Sequence, residues 1–469
     1  MTKEEKIEFF DSIANDRDKS RRKGVYYHEE LEKYLRFLIP PNSSVLEIGC
    51  GTGDTLAALN PSKGLGIDVS PQMIAGAKKK HPHLQFEVGD LEALKLEEKF
   101  DYVVLDSTIG NVDDIQLAFK ELHKVCSPKT RLIIVYYNYI WEPALKLAEA
   151  VGLRTRHLLQ HWLPLDDLAN LLYLNNFEVV KQGYRCLMPV WIPVISTFLN
   201  KYLAKLPFLG KMSVSEVIVA RATEKRKPPE EATCSVIVPC RNEKGNIEQA
   251  VQRTPDMGKH TEIIFVEGHS QDGTLEECER VKAAYPERDI KILVQDGKGK
   301  GNAVRNGFAA AKNDVLMILD ADLTVPPEDL PKFFEAIISG KGEFINGSRL
   351  VYQMEKEAMR FLNLLGNKFF SRAFTYILDQ RIRDTLCGTK VLWKEDYEKI
   401  LAGRAYFGDF DPFGDFDLLF GSAKLNLKIV EIPIRYRERT YGRTQISRFR
   451  HGLLLFKMTF FSLKKIKFV

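Results

Sequence analysis

A chain of 469 residues, 45% apolar and 28% charged, is too long for one ordinary domain and too apolar to be disordered, so two or three globular domains are expected. Its seven cysteines are odd in number and include no Cys-x-x-Cys pair, which argues against a disulfide framework or a zinc site and for a reducing compartment. The formal charge of +5 is unevenly spread: between Ile434 and Val469 ten Arg or Lys stand against Glu438, a basic tail on a mildly acidic body that points to an anionic partner.

The N-terminal residues lack the apolar core of a signal peptide. The longest near-apolar stretch, Cys186 to Leu199, is shorter than the ~20 residues of a spanning helix and is broken by Pro189 and Pro193. A soluble or surface-bound protein is expected. Residues 6–38 read as helical, with Ile7, Phe10, Ile13, Tyr34, Leu35 and Leu38 at mixed helical spacing, stopped by Pro40 and Pro41. A strand from Ser44 then enters a glycine-rich turn, Glu47-x-Gly49-x-Gly51-x-Gly53, which opens a helix near Thr55 to Leu59. Glycine there lets backbone approach a ligand closely at a helix start. Further strands at 64–68, 84–88, 102–105 and 131–136 end in or beside acids, namely Asp68, Asp90 and Asp106 for the first three. Strands alternating with helices imply a parallel sheet with its ligand crevice at the carboxyl ends.

Glu47 to Gly53, Asp68 and Asp90 resemble the class I methyltransferases that use S-adenosylmethionine, over roughly residues 25–222. The resemblance implies a Rossmann-like sheet closed by antiparallel strands at 177–184 and 215–221. It implies that Glu47, Gly49 and Gly51, with Gly53 in the same turn, serve the methionine portion, that Asp68 holds the ribose and that Asp90 lies near the adenine. The stretch Asp106 to Asn111 lacks the Asn-Pro-Pro-aromatic pattern of nitrogen methylation, which favours an oxygen acceptor. His161 and Trp162 read as packing residues. Trp191 to Phe198, beside Lys201 and Lys205, reads as core, with an interfacial segment as the alternative.

Residues 223–232, charged and proline-bearing, read as a linker between a domain at 1–222 and another at 233–469. A new α/β alternation follows, with strands at 235–238, 262–267, 291–294 and 315–319. Gly297 to Val304 opens a helix with two lysines in a phosphate-favouring setting, without the closing Ser or Thr of a Walker loop. The strand at 315–319 stops on Asp320 and Asp322, a pair suited to a hard divalent ion that also meets phosphates.

Pro239 to Glu243, Asp272 to Thr274, Gly299 to Ala303, Asp320-Ala-Asp322 with Pro326 and Pro327, Gly347 to Arg349 and Arg439 to Thr444 occur in the order of the family 2 glycosyltransferases of the GT-A fold. The second half resembles most closely those like dolichyl-phosphate mannose synthase. The resemblance implies that Pro239, Glu243 and Glu267 bind the nucleotide, Asp320 and Asp322 the ribose and a Mg²⁺ or Mn²⁺ ion, and Lys300, Arg349, Arg439 and Arg443 the phosphates. Three positions depart from the family's pattern: Glu267-Gly268 stands where a pair of aspartates is common, Thr324 where Gln is, and Gln445 where Lys is.

A polyprenyl phosphate acceptor is already anionic and needs no base, whereas a glycan hydroxyl needs a carboxylate, for which Asp415 and Asp417 are the candidates beside the catalytic Asp322. The aromatic and basic run 359–378 and the tail Leu453 to Val469 suggest reversible binding to the inner face of the cell membrane. No nucleic-acid partner is expected. The expectation is therefore a bifunctional α/β enzyme: metal-dependent sugar transfer to a polyprenyl phosphate, and O-methylation of a glycan or lipid. The alternative is a transferase extending a polysaccharide hydroxyl, with a non-catalytic, S-adenosylmethionine-binding first half.

Overall fold

The computed structural model describes residues 2–152, 161–349, 351, 361–408, 415–437, 439, 441 and 448–469, of which 361–365, 415 and 448–452 are described for backbone alone. Two compact units form, Met1–Glu224 with Phe468–Val469, and Lys225–Lys467.

In the first unit, strands β1 (Ser44–Ile48), β2 (Lys63–Asp68), β3 (Gln85–Val88), β4 (Tyr102–Asp106), β5 (Arg131–Tyr137), β6 (Phe177–Arg185) and β7 (Ser215–Ala222) make one sheet in the order β3-β2-β1-β4-β5-β7-β6. The first five are parallel, and β7 runs antiparallel to both β5 and β6. The central strands are continuous apolar runs because helices cover both faces. Residues 6–38 form three helices, Lys3–Ala14, Arg17–Lys23 and Val25–Leu38, where one was expected. The breaks fall at Asn15-Asp16 and Gly24, whose side chains or lack of one favour turns over helix interior. The first helix is closed at its start by a reciprocal cap: the Glu5 amide donates to Thr2 Oγ1 at 3.2 Å and the Thr2 amide to Glu5 Oε2 at 2.8 Å.

In the second unit, β8 (Thr233–Cys240), β9 (His260–Glu267), β10 (Asp289–Val294), β11 (Val315–Ile318), β12 (Phe344–Ser348), β13 (Lys390–Trp393) and β14 (Ile429–Pro433) order as β10-β9-β8-β11-β13-β12-β14. β13 is antiparallel to its neighbours and the other pairings are parallel. The stretch expected as a linker is partly built in: Arg226 is buried among Glu343, Asp396 (2.6 Å) and Glu395 (3.0 Å), and Lys227 pairs with Asp314 at 2.8 Å. All seven cysteines are free and buried.

Candidate active sites

At the carboxyl ends of β1, β2 and β4 a cavity of about 160 Å³ is lined by Gly49, Gly51, Asp68, Asp90, Asp106 and Asn111, among others. Gly49 takes φ +77° and lies so close to Thr108 that a Cβ would fall 2.3 Å from Oγ1, so the turn needs glycine there. Asp68 accepts the Gly51 amide at 2.9 Å and the Ser70 amide at 3.0 Å, which ties the turn to the end of β2. Burial nevertheless holds its carboxyl above the ordinary range.

Two expected residues stand outside the cavity wall. Glu47 is buried and its Oε2 accepts the Leu56 amide at 2.9 Å, pinning the following helix. Burial, then the nearby Asp106, pushes its carboxyl well above the ordinary range. Gly53 precedes that helix at φ +77°, with no lining role. The sequence reading assigned no ligand role to the helix Lys3–Ala14, whose Lys3, Lys6, Ile7, Phe10 and Ile13 line the cavity. Lys3 meets Asp90 at 2.5 Å, Lys6 donates to the Asn111 carbonyl at 2.9 Å, and Asp11 accepts the Gln72 amide at 3.1 Å. The spacing of Lys3, Ile7, Phe10 and Ile13 on one helical face is the signal that could have shown it.

Also missed was Glu216, on β7 directly opposite Tyr136 of β5. It is 1% exposed, and both its carboxylate oxygens are buried without a hydrogen-bond partner among the described residues. Burial pushes its carboxyl up to about 8, with Asp166 adding to the effect. His161, expected to pack, is exposed; its amide donates to the Gly110 carbonyl at 3.0 Å and its Nε2 lies 2.9 Å from the Val112 carbonyl.

In the second unit the ends of β8, β9 and β11 gather the expected nucleotide and metal residues. Lys300, at the start of the helix Lys300–Ala310, lies 2.6 Å from Asp320 Oδ1. Burial disfavours the charge on Asp320, but Lys300, then Lys390 and Arg349, outweigh it and hold the carboxyl below its ordinary value. Gly388 is packed against this pair: a Cβ there would lie 2.0 Å from Asp320 Oδ2 and 2.5 Å from Lys300 Nζ. Asp322 accepts the Thr324 amide at 3.1 Å and hydroxyl at 2.8 Å on Oδ1, leaving Oδ2 to Arg439 at 2.6 Å. The same guanidinium reaches Glu243 at 2.9 Å. Glu267 accepts the His269 and Ser270 amides at 3.0 and 2.6 Å, and Asp272 accepts the Thr274 amide at 3.1 Å, so these acids shape the loop. Pro239 stands one residue before the end of β8.

Arg349 is fixed on the fully buried Asp384, with Nε at 2.7 Å and Nη2 at 2.8 Å, a two-bond pairing that anchors the residue after β12. Asp417 is buried on the helix Asp415–Lys424, where Arg404 Nε approaches its Oδ2 to 3.0 Å and Arg305 Nη1 to 3.7 Å. Arg443 and the Asp415 side chain lie outside the described residues. Among the described residues no three or more metal-ligating side chains cluster. Two carboxylates suffice for a Mg²⁺ ion that completes its shell with water and phosphate oxygens, so Asp320 and Asp322 fit such an ion.

In the C-terminal helix Arg448–Ser462, Leu455 and Met458 are buried while Leu453, Phe456 and Phe460 face outward, with Phe456 against Phe369 and Phe370. Of the four tail lysines, Lys465 lies over the Tyr406 ring at 4.8 Å and Lys467 pairs with Asp379. No helix among the described residues is long and apolar enough to cross a membrane.

Comparison with known proteins matches both units. Residues 21–182 match the family model for a methyltransferase domain, and residues 235–401 that for glycosyl transferase family 2. The two matched stretches fall one in each compact unit. A dolichol-phosphate mannosyltransferase of Pyrococcus furiosus is 32% identical over 219 residues, 45% of this chain and 58% of the relative. One of Saccharomyces cerevisiae is 42% identical over 109 residues, 22% of this chain and 40% of the relative. The chain therefore spans well under two thirds of the length of either. A solved structure of an S-adenosylmethionine-dependent methyltransferase from Thermotoga maritima aligns with a TM-score of 0.37 and 18% identity, covering 46% of this chain and 98% of that one.

Proposed function

We propose that the second unit transfers a sugar from a nucleotide sugar to a polyprenyl phosphate, and that the first methylates an oxygen of a glycan or lipid with S-adenosylmethionine. The observation that carries the first part is the pairing of Asp320 with Lys300 and of Asp322 with Arg439 at the end of β11. Acids and bases held together in this way can exchange partners for a cation and a diphosphate. Asp320 and Asp322 hold the ion, which when bound neutralises charge on the departing diphosphate. Lys300 and Arg439, released from the acids, meet the phosphates, with Arg443 as a further candidate. Glu243, Glu267 and Pro239 border the nucleotide.

A lipid phosphate acceptor is supported by the names of the relatives, two dolichol-phosphate mannosyltransferases and an undecaprenyl-phosphate sugar transferase. It is supported also by Asp417, whose engagement by two arginines suits a structural post better than a general base. The outward Leu453, Phe456 and Phe460 support peripheral attachment to the cytoplasmic membrane face, where such an acceptor resides.

For methyl transfer, the bound cofactor supplies an activated methyl group. Asp68 and Asp90 orient its polar ends, the turn at Gly49 and Gly51 admits it closely, and the helix Lys3–Ala14 excludes water from one side.

The test offers labelled nucleotide sugars to the full chain with and without polyprenyl phosphate, and methyl-labelled S-adenosylmethionine with lipid and glycan extracts. Sugar label entering the organic phase only with polyprenyl phosphate and Mg²⁺ or Mn²⁺ is expected; its absence refutes the transferase reading. Cofactor binding without methyl transfer to any extract would favour a regulatory first unit.

A further inference from the structure

Between Cys186 and Ser215 the chain contains three lysines and no acidic residue. Within this connection from β6 to β7, Trp191 to Phe198 was expected to be core, with an interfacial segment as the alternative, and its large apolar side chains prove to be exposed. Val194 and Phe208 are 80% and 79% exposed, and Val190, Trp191, Ile195 and Phe198 are exposed beside them. Two of its polar side chains are turned inward and serve its own backbone. Ser196 is buried, donates to the Val190 carbonyl at 2.7 Å and accepts the Ile192 amide at 2.8 Å. Asn200 is buried and holds both the amide (2.8 Å) and the carbonyl (2.9 Å) of Met188. Val194, a β-branched residue, sits at φ +65°, a conformation that only a well-determined surrounding maintains.

Scattered apolar residues on a surface need no explanation, but a contiguous apolar segment whose own hydrogen-bonding groups are satisfied internally does. A bilayer offers few hydrogen-bond partners and so selects for such internal satisfaction. A specific protein partner would more often be met by outward polar groups that fix register. The charge is complementary to anionic lipid, with the half-buried Lys201 and the exposed Lys211 on this acid-free segment, and Trp191 is a residue type enriched at bilayer interfaces.

The segment is also anchored at the ligand edge of the sheet. Asn138, the residue after β5, donates to the Lys211 carbonyl at 2.8 Å and the Ser213 carbonyl at 2.9 Å, and Trp141 Nε1 donates to the Met212 carbonyl at 2.8 Å. Trp191 packs on Tyr26 at 5.2 Å, and the adjacent Tyr27 stacks on Tyr137 at the end of β5. We propose that this surface seats the first unit on an anionic membrane, and that its methyl acceptor is accordingly a bilayer-resident lipid. The acceptor clause rests on the methyl-transfer reading above; the docking clause does not.

The full chain is mixed with phosphatidylcholine vesicles carrying brominated acyl chains, with and without phosphatidylglycerol, and tryptophan emission is followed. Trp191 is expected to be quenched by the brominated chains, and Trp191→Phe to remove most of that quenching. Val194→Glu with Phe208→Glu alters only exposed side chains and should abolish it, while Lys201→Gln with Lys211→Gln should weaken partition to the anionic vesicles about fivefold per lysine. Unquenched Trp191 in protein that sediments with the vesicles would overturn the docking. So would a concentration-dependent dimer dispersed by the double glutamate variant, which would assign the surface to a second copy. Calorimetry with S-adenosylmethionine separates the two claims: quenching without cofactor binding overturns the methyl-transfer reading and its lipid acceptor alone.

Discussion

Arg439 reaches Asp322 Oδ2 at 2.6 Å with one guanidinium nitrogen and Glu243 Oε1 at 2.9 Å with another. One side chain thereby joins two of the residues expected at the nucleotide and the ion, across up to 196 positions of sequence. The acid expected to hold the ion is thus compensated by the base expected to hold the diphosphate. Asp322→Asn is expected to lower sugar transfer by about 10²–10³-fold or more, the scale of losing one preorganised electrostatic contact, with the melting temperature little changed. Full activity in a labelled-sugar assay would refute the assignment.

Gly388→Ala tests the neighbouring pair by sterics alone. Its added methyl would lie 2.0 Å from Asp320 Oδ2, and no rotation at residue 388 removes it. Nucleotide-sugar affinity, read by calorimetry with Mn²⁺, should fall at least tenfold, while Gly366→Ala, which meets nothing within 4 Å, should leave it unchanged.

On the first unit, Asp68→Ala removes the acceptor of two backbone amides and the group expected at the ribose. S-adenosylmethionine binding should weaken by about 10–100-fold, since a charged hydrogen bond contributes roughly 1.5–3 kcal/mol. Unaltered affinity would separate the cofactor from this cavity.

Glu216 makes a prediction in pH. Its carboxyl titrates near 8 in the folded protein against 4.5 for the unreacted group, so the folded state holds the extra proton between those values. The stability tied to that proton is fully present below about pH 4.5 and is lost as pH rises through about 8. Glu216→Gln should therefore melt above the parent at pH 9 and flatten the pH dependence, by an amount on the order of 5 kcal/mol at most. Equal pH slopes for the two proteins would mean that Glu216 ionises freely.

Burial makes a different prediction at Arg226, which lies among Glu343, Asp396 and Glu395. Arg226→Ala leaves those acids uncompensated and should destabilise the second unit by about 3–5 kcal/mol in urea unfolding. A change below about 1 kcal/mol would show that this stretch is a linker after all.

Local chemistry explains what was readable without coordinates. Positive-φ glycines at 49, 51 and 53, acids at strand ends and the Asp320-Ala-Asp322 step depend on neighbours within a few residues, and the strands around them appear within two residues of where periodicity placed them. The single helix expected at 6–38 failed because periodicity does not register the turn tendency of Asn15, Asp16 and Gly24. Glu47 was expected at the cofactor and is instead a buried post for the Leu56 amide, a difference of side-chain direction that no spacing encodes.

The sequence by itself determined two α/β units, their phosphate- and cofactor-handling turns and the families they resemble, because these rest on short-range backbone demands. Tertiary structure alone decided which charges meet: Arg439 with Asp322 and Glu243, Arg349 with Asp384, and Asp417 with Arg404. It also decided that Val194 and Phe208 face outward while Ser196 and Asn200 face in. Pairing and burial are set by elements far apart in the chain, and a linear pattern carries the capacity for a contact without naming its partner.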